Sequence, residues 1–314
     1  MRAIVIDQPG DADVMKMVSR PIPTPTKDQT VIRIHAFGVH RYEVLTRAGG
    51  SPSVKFPRVI GVEAVGEVYA PAADSRLQVG QKVITMMGGL GREVDGSYQD
   101  YALVADKHLY PVDYAGDWVT LAQYPENFYT ALGAIKSLGL QAGQSLLVRG
   151  GTSVVGIAAT KLAKALGLTV TATTRRPEML AELKQQGADV AILDTDNQLQ
   201  TSKQFDGVID MVGTVTMADS IAHLRQGGVV CVIGLLAGEW VVKNFDPFSL
   251  AGKFLTVFDS TDVQQSLVDE MFELIKRYDL TVPIAKVFKL DEIRAAHDYV
   301  MQSRALGQVI IDND

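Results

Sequence analysis

The sequence predicts an α/β protein in which a β-rich N-terminal domain precedes a doubly wound parallel sheet. Short apolar runs separated by glycines fill the first third, whereas strands and helices alternate from about Leu121 onward. A glycine turn at residues 150–156 lies between a predicted strand and a predicted helix of that second part. We place the first domain at residues 1–120, completed by residues 260–314, and the second at residues 121–259.

Length, composition and charge exclude several classes of protein. The 314 residues suffice for two domains with cores, and 47% hydrophobic with 21% charged residues is ordinary for a globular protein. A net charge of -6 leaves little basic surface for nucleic acid phosphates. The most apolar stretch, residues 229–238, is too short to span a bilayer, and the first residues enter a strand rather than a signal peptide. We therefore expect a cytoplasmic protein with no nucleic acid or membrane partner.

The N-terminal third is predicted to form a small barrel or sandwich. Residues 31–36 alternate apolar and polar side chains, as a half-buried strand does, and they follow Pro21, Pro23 and Pro25. Further strands are expected at residues 59–68, 80–85 and 97–104, without a long helix.

The second part has the alternating pattern of a doubly wound sheet with helices on both faces. The predicted strands are residues 145–149, 168–173, 205–210, 229–233 and 254–258. The predicted helices are residues 128–137, 156–166, 177–186 and 221–224. In the tail we predict helices at 262–278 and 291–302 and strands at 287–290 and 308–311, and we expect this tail to fold back onto the N-terminal domain.

The glycine turn predicts a dinucleotide site. Free backbone N–H groups and the positive end of a helix bind pyrophosphate there. In the pattern G-x-G-x-x-G, Gly151 and Gly156 are the first and third glycines, and Ser153, whose hydroxyl could donate to a phosphate oxygen, replaces the second. The residues expected to contact the cofactor are Gly150, Gly151, Thr152, Ser153, Val154, Val155 and Gly156. The alternative is a strand–turn–helix junction without a ligand.

The end of the next strand predicts which dinucleotide binds. A site for NAD usually has an acidic residue about 20 residues beyond the glycines, which accepts from the ribose 2′-OH. A site for NADP has a cation there instead, because it binds the ribose 2′-phosphate. This chain has Thr174, which lies 174 − 156 = 18 residues after Gly156, followed by Arg175 and Arg176. We therefore predict NADPH. The alternative is a solvated arginine pair at the start of a helix.

Several motifs together resemble one superfamily over essentially the whole length of the chain. They are the Gly-Val-Glu-Ala-Val-Gly run at 61–66, Asp-Gly-Ser-Tyr at 95–98 with Tyr101, the glycine turn, and Leu-Gly-Gln-Val at 306–309. The chain resembles the medium-chain dehydrogenases/reductases, and among them the zinc-independent, NADPH-dependent quinone oxidoreductases related to zeta-crystallin. The resemblance implies a GroES-like catalytic domain, an inserted Rossmann domain, and a homodimer joined through the Rossmann sheets.

The metal ligands of this superfamily's zinc enzymes are largely missing. A catalytic zinc needs about three protein ligands. By resemblance, the first ligand position, which follows a Gly-Val pair, is His40 here. The second lies in a Gly-His-Glu motif, which is Gly-Val-Glu here, so that only His40 and Glu63 keep suitable chemistry. The single cysteine, Cys231, excludes the four-cysteine structural lobe and an intrachain disulfide, and is expected to be a buried small side chain. We expect no metal site.

Without a metal, the chemistry favoured is hydride transfer from NADPH to a quinone or an α,β-unsaturated carbonyl compound. His40 replaces an asparagine common in relatives and is the first candidate for donating to the substrate oxygen, with Tyr42 as a second donor. By resemblance, Thr130 is the hydroxyl that reaches the nicotinamide. Each of these side chains has a structural alternative: a hydrogen-bonded core histidine, a cleft wall, and a helix residue bonded to its own backbone.

Two strand ends complete the predicted cofactor site, namely Val212 with Gly213 and Gly234 with Leu235. Tight turns without a ligand are the alternative at both.

Two rival functions stay open. The first is an enoyl-thioester or alcohol oxidoreductase of the same fold, and the second is an NADPH-binding protein with a sensing or structural role and negligible turnover.

Overall fold

The computed structural model describes residues 1–239, 241–242, 245–303 and 305–314. Its strands are β1 (Arg2–Ile6), β2 (Met15–Ser19), β3 (Gln29–Val39), β4 (Glu63–Ala70), β5 (Lys82–Met86), β6 (Tyr101–Ala105), β7 (Tyr110–Pro111), β8 (Ser145–Arg149), β9 (Thr169–Thr174), β10 (Val190–Thr195), β11 (Gln198–Leu199), β12 (Phe205–Asp210), β13 (Leu224–Val232), β14 (Phe254–Val257), β15 (Ile284–Lys289) and β16 (Gln308–Asp312). Its α-helices are α1 (Arg41–Arg47), α2 (Trp118–Leu121), α3 (Pro125–Leu138), α4 (Val154–Ala165), α5 (Leu180–Gln185), α6 (Met217–Ala222), α7 (Gln265–Tyr278) and α8 (Ile293–Gln302). Short 3₁₀ turns occupy Ala12–Val14, Asp106–His108, Pro177–Met179, Pro247–Leu250 and Leu290–Glu292.

By their contacts, the described residues divide into two compact units. The first unit comprises Met1–Glu126, Thr261–Val268 and Pro283–Asp314, and the second comprises Asn127–Ser260 and Asp269–Val282. The sequence-based boundaries assign all of residues 260–314 to the first domain, whereas most of α7 lies in the second unit. Within that unit, Lys136 of α3 forms a 2.7 Å ion pair with Glu270 of α7.

The first unit is built on an almost entirely antiparallel sheet. The strand order is β15-β16-β3-β4-β5-β7, and β6 also pairs with β3. Strand β16 lies antiparallel to β3 with Ile310 opposite Gly38, so that the last strand of the chain joins the sheet that its first third begins. The core of this unit lies on β3, where Ile32, Ile34 and Phe37 are buried.

The second unit contains the doubly wound sheet that the sequence predicts. The strand order is β11-β10-β9-β8-β12-β13-β14. From β10 to β14 every neighbouring pair is parallel, and β11 is an antiparallel edge. Because helices cover both faces of such a sheet, its central strands are continuous apolar runs. Leu146, Leu147 and Val148 of β8 have no exposed surface. The predicted α/β class is confirmed.

Several elements differ from the prediction. Strands β10 and β11 were not predicted. Leu224, expected at the end of a helix, instead begins β13 and pairs in register with Phe205, because sheet pairing outweighs a weak local helical pattern. Helix α1 was not predicted, since its N-cap is His40 rather than one of the usual capping residues. In the described part of the chain, no helix is long and apolar enough to cross a membrane.

Candidate functional site

The glycine turn joins β8 to α4 and is fixed by the neighbouring strand β9. The amide of Gly150 donates to Thr173 Oγ1 at 3.1 Å, and the amide of Gly151 donates to Thr173 O at 3.1 Å. Gly150 has φ +92°, a conformation that side chains other than glycine rarely adopt. The turn is therefore held in place by backbone geometry and by one threonine hydroxyl.

Side chains are excluded from the inner surface of this turn. A Cβ atom on Gly151 would lie 2.9 Å from Ala172 Cβ, and one on Gly156 would lie 2.5 Å from Gly150 O. Both distances are too short for a carbon atom to occupy. The two glycines at the first and third motif positions are thus required by space, which leaves a concave backbone cradle.

Ser153 caps helix α4. Its Oγ accepts from the amide of Gly156 at 3.0 Å and donates to Gly150 O at 2.8 Å. The hydroxyl hydrogen is thereby already used inside the turn. The sequence hypothesis that it would donate to a phosphate oxygen differs from this arrangement, because the N-cap position takes the hydroxyl for the helix.

Three amides of the turn remain available to a ligand. Among the described residues, the amides of Thr152, Val154 and Val155 have no hydrogen-bond acceptor, and these residues are only half buried. Unpaired N–H groups at a helix N-terminus form an anion site. The crowded glycines and the open amides together fit the pyrophosphate of a dinucleotide.

The end of β9 presents a cationic surface beside this turn. Thr174 is buried, and its Oγ1 accepts from the amide of Arg176 at 3.1 Å. Arg175 is exposed and forms no ion pair with any residue that the structure describes. No acidic residue stands at the strand end, so the position that binds a ribose 2′-OH in NAD sites lacks its usual acceptor.

The two other predicted cofactor segments lie against each other. The amide of Ala237 donates to Val212 O at 3.1 Å, and a Cβ on Gly213 would be 2.8 Å from Gly234 O. Asp210 Oδ1 accepts from the amides of Val212 and Gly213, which fixes the turn after β12. A Cβ on Gly150 would lie 3.4 Å from a methyl group of Leu236, so these segments adjoin the glycine turn.

Arg149, the last residue of β8, lies buried directly before the turn. Its guanidinium makes a two-point ion pair with Asp194 at 2.7 and 2.9 Å and a second ion pair with Asp219 at 2.8 Å. It also donates to Ser220 Oγ and to Thr216 O. With no exposed surface and acceptors around the whole guanidinium, this arginine ties β8 to β10 and α6.

In the first unit, a buried cluster forms around His40 at the N-terminus of α1. His40 Nε2 lies 2.8 Å from Glu63 Oε1, and Nδ1 lies 3.8 Å from Glu126 Oε2. Burial alone would lower the pKa of His40, but the charge and hydrogen bond of Glu63, with the charges of Glu126 and Glu43, raise it to about 10. His40 is therefore an imidazolium at neutral pH.

Tyr42 stacks on His40 with ring centres 5.1 Å apart. Its hydroxyl oxygen is buried and has no hydrogen-bond partner among the described residues. Burial, together with the charges of Glu126 and Glu43, raises the pKa of Tyr42 well above its ordinary value, so the phenol is neutral. The structure thus brings His40 and Tyr42 together as two potential donors.

Glu63 and Glu43 hold this cluster in place. Glu63 accepts from the amides of Gly38 and Glu126 as well as from His40. Glu43 accepts from the amides of His40 at 2.9 Å and Val62 at 3.0 Å. Each carboxylate thereby links α1 to the strand β4 or to the residues just before it.

A series of hydrogen-bonded side chains connects Glu43 to Arg47. Tyr98 donates to Glu43 at 3.0 Å, His297 Nε2 lies 2.8 Å from the Tyr98 hydroxyl, and Arg47 lies 3.4 Å from His297 Nδ1. Burial and the nearby Arg47 lower the pKa of His297 to about 3, so this imidazole is neutral. It accepts from Arg47 and donates to Tyr98.

Thr130, the third predicted catalytic residue, lies in α3 of the second unit and is buried. The structure therefore assigns two of the three candidates to one unit and the third to the other. Within the residues that the structure covers, no group of three or more His, Cys, Asp or Glu side chains is arranged to hold a metal ion.

Sequence reasoning missed the roles of Glu43, Glu126 and Arg149. The spacing of His40 and Glu43 is that of a capping box with an unusual cap, and this signal could have located α1. The other two residues are brought to their partners by the fold and have no local signal.

Two protein-family models match parts of the chain. Residues 26–114 match the family described as alcohol dehydrogenase GroES-like domain, and residues 186–311 match the family described as zinc-binding dehydrogenase. A putative quinone oxidoreductase of Bacillus subtilis, YhfP, is 30% identical over 299 residues, which cover 91% of this chain and 90% of the relative.

Two further proteins extend the similarity to the full length. A quinone oxidoreductase of Pongo abelii is 28% identical over 99% of this chain and 97% of its own length. The solved structure of the quinone oxidoreductase from Coxiella burnetii superposes with a TM-score of 0.87 at 24% identity, covering 100% of this chain and 99% of that chain. This structural likeness shows the shared fold.

Proposed function

The chain belongs to the quinone oxidoreductase family of the medium-chain dehydrogenases/reductases, and we propose that it transfers a hydride from NADPH to a quinone or an α,β-unsaturated carbonyl compound without a catalytic metal. The observation that carries this proposal is the protonated, buried His40 beside the unpartnered hydroxyl of Tyr42. Both are hydrogen-bond donors, as an acceptor that becomes an oxyanion requires.

His40 supplies the proton that completes the reduction. Hydride addition to a quinone, or to the β-carbon of an enone, leaves negative charge on the acceptor's oxygen. Glu63 occupies Nε2 of His40, so the Nδ1–H is the one that donates to this oxygen and transfers its proton. Solvent then reprotonates the imidazole, and Glu63 favours the charged form throughout.

Tyr42 stabilises the same oxyanion as a neutral donor. A phenol whose pKa is raised keeps its proton, so it donates a hydrogen bond without becoming charged. Its stacking on His40 orients both groups toward one region of the first unit. Although residues 186–311 match a family described as zinc-binding, two protein donors take the place of a Lewis acid in this scheme.

NADPH is the reductant in the proposal. When bound, it supplies the hydride, and the residues that would hold it are the open amides of Thr152, Val154 and Val155 for the pyrophosphate. Thr174, Arg175 and Arg176 would hold the 2′-phosphate, because a guanidinium forms charge-assisted bonds with it. Thr130 remains the proposed contact to the nicotinamide.

Dissociation constants test the choice of cofactor. The double variant Arg175→Glu, Arg176→Glu is expected to lose NADPH affinity and to bind NADH as the wild type does. Lys184→Glu, which places one negative charge on an exposed position of α5, is the charge control and should change neither. An unchanged preference in the double variant would contradict NADPH as the cofactor.

An acceptor panel tests the reaction. NADPH oxidation is measured with quinones, enones and acyl thioesters, and the proposal expects turnover with members of the first two groups. Turnover confined to thioesters would favour the enoyl-thioester alternative. Tight NADPH binding without turnover of any acceptor would favour a sensing role.

We also propose a homodimer joined through β14. This edge strand pairs with β13 and, among the described residues, with no strand on its other side. Phe254 and Val257 on it are 60% and 66% exposed, an apolar edge that a second copy would cover. Sedimentation equilibrium of the wild type and of Phe254→Lys tests this, and a monomeric wild type would contradict it.

A further inference from the structure

Arg92 lies in the loop between β5 and β6, close to the proposed donors. Its guanidinium carbon is 5.9 Å from the ring centre of Tyr42. With Val62, Gly88 and Gly89 it also lines a cavity of about 20 Å³, which has room for about one water molecule. The side chain is therefore part of the surface that surrounds Tyr42.

The charge of Arg92 is not matched within the first unit. Its Nε is buried without a hydrogen-bond partner, and no described residue forms an ion pair with it. A buried donor left unsatisfied is costly, and more so when it is charged. Stacking on Tyr42 stabilises the cation but offers no acceptor to Nε.

The carboxylates nearby are engaged by other donors. Glu43 accepts from two amides and from Tyr98, and Glu63 accepts from two amides and from His40. Asp95, three residues along the loop, pairs with Arg20 at 2.9 Å and with Arg58 at 3.2 Å. These acids are held by their own partners.

We propose that Arg92 binds an anionic group of the acceptor, so that the preferred substrates are enones or quinones carrying a carboxylate. The inference rests on the proposed function, since it names the class of acceptor for the same reaction. His40 and Tyr42 donate to the oxygen that receives charge during reduction, and Arg92 binds the charge that the acceptor already carries. The guanidinium suits this role because it forms two parallel hydrogen bonds with a carboxylate.

The test compares two acceptors with the same enone, trans-3-benzoylacrylate and its methyl ester. The wild type is expected to reduce the carboxylate with a kcat/KM about 10-fold or more above that of the ester, the usual scale for a hydrogen bond between charged groups. Arg92→Gln should bring the ratio of kcat/KM for the carboxylate to kcat/KM for the ester close to one, and Arg92→Lys should restore part of that ratio. Equal rates for the two acceptors in the wild type would overturn the inference.

Arg41→Gln is the matched control. Arg41 is an exposed arginine beside Tyr42 with no ion pair to any described residue, so its loss removes one positive charge next to Tyr42, as the loss of Arg92 does. It should keep the preference for the carboxylate. An equal loss of preference in Arg41→Gln would show a general effect of charge and overturn the role of Arg92.

Binding without turnover separates this inference from the proposed function. 3-Benzoylpropionate, which lacks the double bond, is titrated calorimetrically into the wild type and Arg92→Gln, with thermal unfolding to check that both are folded. Weaker binding to Arg92→Gln is expected even if no acceptor is reduced. In that outcome the proposed hydride transfer is contradicted and the anion site is supported. Equal binding to both proteins would overturn the anion site.

Discussion

Arg149 in the second unit and His40 in the first are both buried cations, but their surroundings differ. The guanidinium of Arg149 is enclosed by Asp194, Asp219 and hydroxyl or carbonyl acceptors, and none of its surface is exposed. His40 has one nitrogen bonded to Glu63 and the other 3.8 Å from the nearest carboxylate oxygen of Glu126. The guanidinium of Arg149 is held by close contacts on all sides, and removing it would leave buried carboxylates without a cation. The Nδ1 of His40 has only a longer contact with a carboxylate, so its proton is not held by a close hydrogen bond to Glu126.

The largest expected effect comes from removing the fully paired charge. Arg149→Met leaves Asp194 and Asp219 buried without their cation, which should lower the free energy of unfolding by about 3–5 kcal/mol. Chemical denaturation measures this. Arg225→Met is the control, because Arg225 pairs with Asp206 at an exposed surface and its loss should cost about 1 kcal/mol or less. Equal losses in the two variants would remove the distinction between the two cations.

The second effect concerns the partly paired charge. In Glu63→Gln, burial is no longer opposed by the Glu63 carboxylate, so the pKa of His40 falls from about 10. The wild type should keep its activity as pH rises through neutrality and lose it near pH 10, whereas the variant should lose activity at lower pH. At pH 8 the expected loss in kcat is about 10-fold or more, because general acids contribute about 100-fold or more.

The pH–rate profile distinguishes this effect from a general loss of structure. Glu67→Gln, on the same strand, removes a carboxylate of β4 that does not contact His40, and its profile should match that of the wild type. A wild-type profile in Glu63→Gln would mean that Glu63 does not set the charge of His40.

The smallest expected effect concerns the Ser153 cap in the glycine turn. Ser153→Ala removes the cap of α4 and should lower the free energy of unfolding by about 1 kcal/mol. NADPH affinity should change little, because the hydroxyl is bonded to Gly150 O and to the amide of Gly156. A large loss of affinity with unchanged stability would instead support the phosphate contact that the sequence suggests.

Most of the second unit could be predicted from local pattern. Strands Ser145–Arg149 and Phe205–Asp210 were expected with the observed bounds, because central parallel strands are continuous apolar runs. The glycine turn was also recognised from a local pattern, since tight turns and close backbone approach require glycine at particular positions. The role of Ser153 is harder to predict, because helix capping, which the structure shows, and phosphate binding favour the same residue at the same position.

The first unit was less predictable because its site is assembled from distant parts of the chain. His40 and Glu63 are 23 residues apart, and Tyr98 and His297 are 199 apart, and nothing in either neighbourhood indicates the partner. The sequence identified His40 and Tyr42 as candidates, but the charge of His40 depends on Glu63, which becomes its partner only in the folded sheet. The unmatched charge of Arg92 is likewise a property of the loop's packing.

The pairing of β16 with β3 determines the order in which the protein can fold during its synthesis. Gly38 of β3 pairs with Ile310 of β16, so the sheet of the first unit stays incomplete until residues 308–312 have been translated. The strands of the second unit, β8 to β14, are all made before that point. Domains usually fold in the order in which they leave the ribosome. Here the unit that contains β3 can be completed only after all strands of the second unit have been made.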